Sequence, residues 1–282
     1  MQRVAVLKLR IFTAIILVPL FVALVLGLTA RQFSFLIGFI SIWCSYEWAA
    51  LMGIQSKFPK ILAALVMSLF MASTLYLIEV RSLSIISVLY ISAIWWLIAI
   101  LLVISYPRSS RVWGKSKVPK AFMGLITLIP WWIALSFIRI IPNGEYIVLF
   151  LFVLIWTADS GAYFAGRLFG KHKLLPEVSP GKTWEGFFGA IVATGLLATL
   201  TAFFLKLNTY EFFMFIMLSV LTVVISVFGD LFESMIKRQA GVKDSGTILP
   251  GHGGALDRLD SIFAAAPIFA LGLYLIKEYA IS

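Results

Sequence analysis

Hydrophobic positions along this chain do not alternate with polar ones; they run together. Apolar stretches fall near residues 11–28, 33–52, 61–79, 83–105, 121–141, 146–168, 185–205, 212–236 and 261–278. A helix needs about 20 such residues to cross a bilayer. The pattern therefore predicts nine membrane-spanning helices. Charges at the C-terminal ends of the sixth and eighth stretches leave eight or ten open. The first stretch follows Arg3, Lys8 and Arg10, as a signal peptide would. It is too long for the apolar core of one, and more spans follow, so it reads as an uncleaved first span.

Composition agrees. Of 282 residues, 61% are apolar and 13% charged, against about 25% charged in ordinary soluble domains. The mean hydropathy is +1.02. One water-soluble core could not hide that much apolar surface, and an aromatic content of 15% excludes disorder. The expected fold class is an all-α polytopic membrane protein, a single domain with an apolar scaffold over 1–145 and a catalytic half over 146–282. Cys44 is the single cysteine, so no intrachain disulfide can form. His172 and His252 stand far apart with no cysteine nearby, which argues against a zinc site.

The net charge of +10 would suggest a nucleic-acid partner in a soluble protein. Here the basic residues sort by side instead, and no nucleic acid is expected. With the N-terminus in the cytoplasm, 18 of the 23 lysines and arginines fall in cytoplasmic segments. Only Arg31, Arg81, Arg139, Lys206 and Lys277 fall outside. That split predicts a cytoplasmic N-terminus and an external C-terminus. The basic segment 106–120, with Arg108, Arg111, Lys115, Lys117 and Lys120, suits anionic lipid headgroups.

Most of the acids and glycines, and both histidines, lie beyond residue 145. On a helix, Asp230, Glu233, Ser234 and Lys237 share one face, and Asp257, Asp260 and Ser261 repeat that spacing. Between them runs a glycine-rich basic loop. Carboxylates at two helix ends suit a hard cation such as Mg²⁺. The amides of residues 251–254 can approach phosphate oxygens, and the lysines and arginines would neutralise phosphate charge. A plain solvated loop is the competing reading. Asp230 argues against it, because it ends a long apolar run where an ionised carboxylate is costly unless paired or hydrated.

Two further segments stand out. Asp159 ends another apolar run, and Gly161, Ala162, Ala165 and Gly166 form a small-residue face for close helix packing. The segment Ser179 to Gly186 enters the seventh span. Its Gly181, Lys182 and Thr183 echo a phosphate loop, but Pro176 stands where the first glycine belongs, and no strand is expected before it. Two readings stay open there: an anion pocket at a helix N-terminus, or an ordinary N-cap with Glu185 in the first turn. Glu47, inside the second span, either lines a polar cavity or bonds to a neighbouring helix; the second is favoured. Trp95, Trp96, Trp131 and Trp132 read as packing or interfacial aromatics.

The segment from Ser234 to Asp260 closely resembles the signature of the phosphatidate cytidylyltransferases. Ser234, Lys237, Arg238, Lys243, Asp244, His252, Gly253, Gly254, Asp257, Arg258 and Asp260 match it in type and spacing. The segments around Asp159 and Ser179 are also similar to this family's. One departure is Ala255, where the family pattern has a larger aliphatic residue. The resemblance implies an integral membrane enzyme that converts CTP and phosphatidate to CDP-diacylglycerol and pyrophosphate. It implies Mg²⁺, with K⁺ sharing the metal site, and Asp230 and Asp257 as leading metal ligands. Asp159, Ser179, Lys182, Thr183, Glu185, Ser234, Gly253 and Gly254 would bind substrate. The family's relatives are often dimers, so a homodimer is expected, in a bacterial cytoplasmic membrane with the site facing the cytoplasm. The alternatives are a transferase using CTP with another lipid, such as an isoprenoid, and an ion-coupled anion transporter.

Overall fold

The computed structural model describes residues 2–246 and 253–280. His252 and Gly251, both singled out above, lie outside the described residues. Among those described, nine long helices follow the nine hydrophobic stretches. They are α1 (Gln2–Gly27), α2 (Ala30–Leu51), α3 (Lys57–Glu79), α4 (Ile85–Ile104), α6 (Lys117–Ile140), α7 (Gly144–Phe169), α8 (Trp184–Phe204), α9 (Thr209–Ala240) and α10 (Leu256–Ala280). A single turn, α5 (Ser110–Trp113), interrupts the basic segment before α6. Eight of the nine are long and apolar enough to cross a membrane, and α1 contributes a shorter apolar stretch, Ile15–Gly27. Polar caps set the boundaries. Thr29 and Gln32 form a capping box at the start of α2, as Asn208 and Glu211 do for α9. Gly241, at φ +71°, ends α9 in the left-handed region that glycine tolerates.

The structure departs from expectation ahead of α8. Strands β1 (Lys173–Leu175) and β2 (Ser179–Thr183) form a small antiparallel hairpin. The phosphate-loop reading still fails, because Gly181, Lys182 and Thr183 lie in β2 itself rather than in a loop after a strand.

The connections sort to two faces. On one, Trp48 Nε1 of α2 donates to the Lys120 carbonyl of α6 at 2.8 Å, and Arg238 Nε of α9 donates to the Val178 carbonyl of the hairpin at 3.2 Å. On the other, Arg139 pairs with Glu145 at 3.1 Å and donates to the Leu28 carbonyl at 2.8 Å. Large apolar side chains such as Leu69, Leu97, Leu101, Leu196 and Phe203 stand on the outer faces, where lipid would meet them.

The core is aromatic at its centre. Phe232 of α9 sits among Trp48, Trp95 and Trp96, with ring centroids 6.2, 5.6 and 5.7 Å away. Trp131 packs edge-on against Phe263 of α10 at 4.9 Å. All four tryptophans read above as packing or interfacial are buried. The small-residue face of α7 packs against α8 as expected. A Cβ on Gly161 would stand 2.7 Å from the Gly189 carbonyl, and one on Gly189 would collide with Ala165. Gly229 likewise brings α9 against α10, where a Cβ would stand 2.6 Å from the Asp260 carbonyl.

Candidate active site

At the end of α9 the sequence changes from apolar to charged within one helix. Thirty-two residues make α9 about 48 Å long, well beyond a hydrocarbon core of about 30 Å. Its last turns therefore carry acids and bases past the apolar region. Asp230 is the first of them. Its Oδ2 accepts from Lys182 Nζ of β2 at 2.8 Å, and its Oδ1 accepts from Ser234 Oγ at 3.3 Å. Lys182 also reaches the Val227 carbonyl at 3.4 Å.

This pair lines a cavity of about 420 Å³ between α7, α8, α9 and the hairpin. Asp159, Tyr163, Arg167, Thr183 and Ser261 give it polar walls, and Ala158, Ala162, Phe187, Ala190 and Val227 give it apolar ones. Asp159 is exposed on this groove and lies within electrostatic range of Asp230 and Lys182. Arg167 Nη1 donates to the Tyr163 hydroxyl at 2.8 Å.

One turn beyond Asp230 begins a second polar cluster. Lys237 Nζ binds Asp257 Oδ1 at 2.7 Å and lies 3.3 Å from Glu233. Asp257 Oδ2 accepts from the Ser245 and Gly254 amides, at 2.9 and 2.8 Å, and from Ser245 Oγ at 2.9 Å. Glu233 is fully buried, and neither of its oxygens has a hydrogen-bond partner of good geometry. Asp260 is within electrostatic range of both clusters, of Asp230 and Lys182 and of Glu233 and Lys237. The acids thus form a chain threaded with two lysines, with backbone contact at Gly229 holding the two helices together.

The remaining predicted residues divide. Thr183 caps α8, accepting from the Gly186 amide at 3.1 Å, as the N-cap reading expects, and it also lines the cavity. Glu185 turns to His172, whose Nδ1 lies 2.7 Å away and whose amide donates to it. It ties the start of the hairpin to α8 and does not line the cavity. Ser179 pairs with Leu175 in the hairpin, also off the cavity. Arg238 is engaged by the hairpin carbonyl described above, and Lys243, Asp244 and Arg258 are exposed on the same face. Gly253 adopts φ +83°, and a Cβ there would stand 2.6 Å from Asp257 Oδ2. The amide of Gly254 is given to Asp257 rather than left for a phosphate.

The sequence gives Tyr163 and Arg167 no role, and although it places Ser261 beside Asp257 and Asp260 and Glu233 beside Asp230 and Lys237, it assigns neither a role in the site. Glu47, of the scaffold half, bonds to a neighbouring helix as favoured, and that helix is α10: it accepts from the Leu256 amide at 3.0 Å and from the preceding Ala255 amide at 3.1 Å.

The donors suit a hard cation. They are carboxylate oxygens, and among the described residues no sulfur or imidazole ligand stands with them. Among the described residues no three acidic, histidine or cysteine side chains already converge as a cage. Mg²⁺ commonly takes one or two carboxylates and completes its shell with water and substrate phosphate; Asp230 and Asp257 would have to supply them from two clusters, each already paired with a lysine.

Known proteins resemble this chain over nearly its whole length. The profile of the cytidylyltransferase family matches residues 8–276. A phosphatidate cytidylyltransferase of Pseudomonas aeruginosa is 37% identical over 268 residues, covering 95% of this chain and 97% of the relative. One of Haemophilus influenzae is 39% identical over 94% of this chain and 97% of its own length. One of Bacillus subtilis is 43% identical over 63% of this chain and 67% of its own length.

Proposed function

Because the chain belongs to the cytidylyltransferase family, we propose that its cavity joins CTP to phosphatidate, releasing pyrophosphate and leaving CDP-diacylglycerol in the membrane. The observation that carries this reading is the union of two chemistries in one cavity. Lys182, Arg167 and Asp230 line it together with alanines, Phe187 and Val227. A lipid with a phosphate head needs both.

An oxygen of the phosphatidate phosphomonoester attacks the α-phosphorus of CTP in line. The bond from that phosphorus to the bridging oxygen breaks, and pyrophosphate departs. The second pKa of a phosphomonoester is about 6, so the nucleophile is already largely ionised and needs no strong general base. The difficulty is to bring two polyanions together, so catalysis rests on positioning and charge neutralisation. Lys182 and Arg167 would meet phosphate oxygens within the cavity. Lys237, Arg238, Lys243 and Arg258 would steer and hold the remaining charge beside it. Asp230 and Asp257 would hold Mg²⁺, with K⁺ at a shared site, which when bound would neutralise phosphate charge. The choice of CTP among nucleotides follows from family membership. The protein is integral to the membrane, and we place its site at the cytoplasmic face of a bacterial inner membrane, where the basic connections lie under the positive-inside rule.

Purified protein given labelled CTP and a panel of lipids tests the reading. It should form CDP-diacylglycerol and pyrophosphate from phosphatidate. Product from an isoprenoid phosphate alone would make it a different lipid transferase. Absence of any product, with solute flux in liposomes, would make it a transporter.

A further inference from the structure

We propose that Glu47 of α2 is a positioning residue for the Asp257 carboxylate and for the glycine turn that precedes α10. The proposal rests on the nucleotidyl-transfer reading above.

Glu47 is 5% exposed and lies in an apolar span. A carboxylate there is costly unless donors satisfy it. Its main-chain donors come from the other half of the molecule, and Trp43 of its own helix adds a side-chain donor. Oε1 accepts from the Ala255 amide at 3.1 Å and from Trp43 Nε1 at 3.1 Å. Oε2 accepts from the Leu256 amide at 3.0 Å. These amides belong to the entry of α10, where donors lack partners within the helix and the helix dipole favours negative charge.

The next amide back, that of Gly254, donates to Asp257. Three successive amides are therefore divided between two acids: residue 254 to Asp257, and residues 255 and 256 to Glu47. Displacing the latter two would rotate the peptide that holds Asp257. Ser245 links the acids a second time. Its hydroxyl lies 2.9 Å from Asp257 Oδ2 and 3.4 Å from Glu47 Oε2. It has one hydrogen, which the shorter contact claims. Two loop glycines are pressed against Glu47 itself. A Cβ on Gly246 would stand 2.8 Å from Oε1, and one on Gly254 would stand 2.5 Å from Oε2. These glycines are explained by the approach of this carboxylate.

The test is Glu47→Gln in the full-length protein in detergent or nanodiscs. A glutamine keeps the size but offers one acceptor oxygen and an NH₂ that faces donors. The 253–257 peptide should exchange its amide hydrogens faster. Mn²⁺ affinity, read by electron paramagnetic resonance, should fall about 10- to 100-fold, the range for partners that orient a metal's ligands. The Mg²⁺ concentration for half-maximal turnover should rise with it. Glu47→Asp, which keeps the charge but draws it back one methylene, should change in the same direction and serves if the glutamine variant fails to insert. Native exchange and native Mn²⁺ affinity in whichever variant purifies would overturn the proposal. Asp257→Asn is the control. If it also binds Mn²⁺ and turns over as the native protein does, the metal assignment fails and the positioning of the loop by Glu47 is judged on exchange alone.

Discussion

Single side chains decide the chemistry here through charge. Lys182 and Lys237 hold Asp230 and Asp257, the two acids that the family resemblance implies as metal ligands, at 2.8 and 2.7 Å. The two pairs differ in surroundings. Lys182 and Asp230 are partly open on the cavity, so replacing Lys182 should harm the reaction more than the fold. Lys182→Met should lower turnover by about 10²- to 10³-fold, as loss of one charge-stabilising group does elsewhere, with an unchanged elution profile in detergent. Asp230→Asn should abolish turnover in a protein that still inserts, measured by CTP-dependent product formation on purified material. Lys237 is more enclosed and faces Glu233, Asp257 and Asp260 together. Lys237→Met strands those carboxylates, and breaking such a buried pair costs about 3–5 kcal/mol. Thermal unfolding should show it as a lower midpoint before any assay is run. Much of this was legible in sequence, because Asp230, Lys237 and Asp257 announce themselves by depth and spacing. The partner of each acid was not, since Lys182 lies 48 positions from Asp230 and no local period joins them.

Helices, rather than side chains, set how close those charges stand. Gly189 lets α8 lie against α7, and Gly229 lets α9 lie against α10. Gly189→Leu would drive its side chain into Ala165 and toward the Gly161 carbonyl. Overpacking of this kind typically costs about 1–3 kcal/mol, and because α8 begins directly after β2, Lys182 should shift with it. A lower unfolding midpoint together with reduced turnover is the expected pair of results, and native values for both would show that α7 and α8 can part freely. The nine long helices themselves were readable, because 20 apolar residues in a row have few other fates, although among the described residues only eight are long and apolar enough to span. The hairpin was not. Strands of three and five residues, one containing Pro180 and Gly181, carry no usable alternation. Their pairing depends on the turn at 176–178 and on Val178, which is buried and whose carbonyl accepts from Arg238.

Taken whole, the molecule is less divided than its sequence suggested. The half without motifs contributes Trp48, Trp95 and Trp96 around Phe232, the residue directly before Glu233. Such contacts join positions more than a hundred residues apart and leave no trace in a hydropathy pattern. The same interlocking makes the topology testable. The ends of α2, α6, α9 and the hairpin meet at one face, and those of α1, α6 and α7 at the other. The positive-inside rule predicts that the first face is cytoplasmic. In a Cys44→Ser background, single cysteines at Lys57, Gly181 or Gly241 should resist a membrane-impermeant maleimide in intact cells and react after lysis. Cysteines at Arg31, Arg81, Asn143 or Lys206 should react in both. Since all these sites are fixed to one rigid alternation of helices, they must switch together. Labelling of the first group alone in intact cells would turn the protein over and set the cavity on the side away from cytoplasmic CTP, which the proposed reaction cannot accommodate.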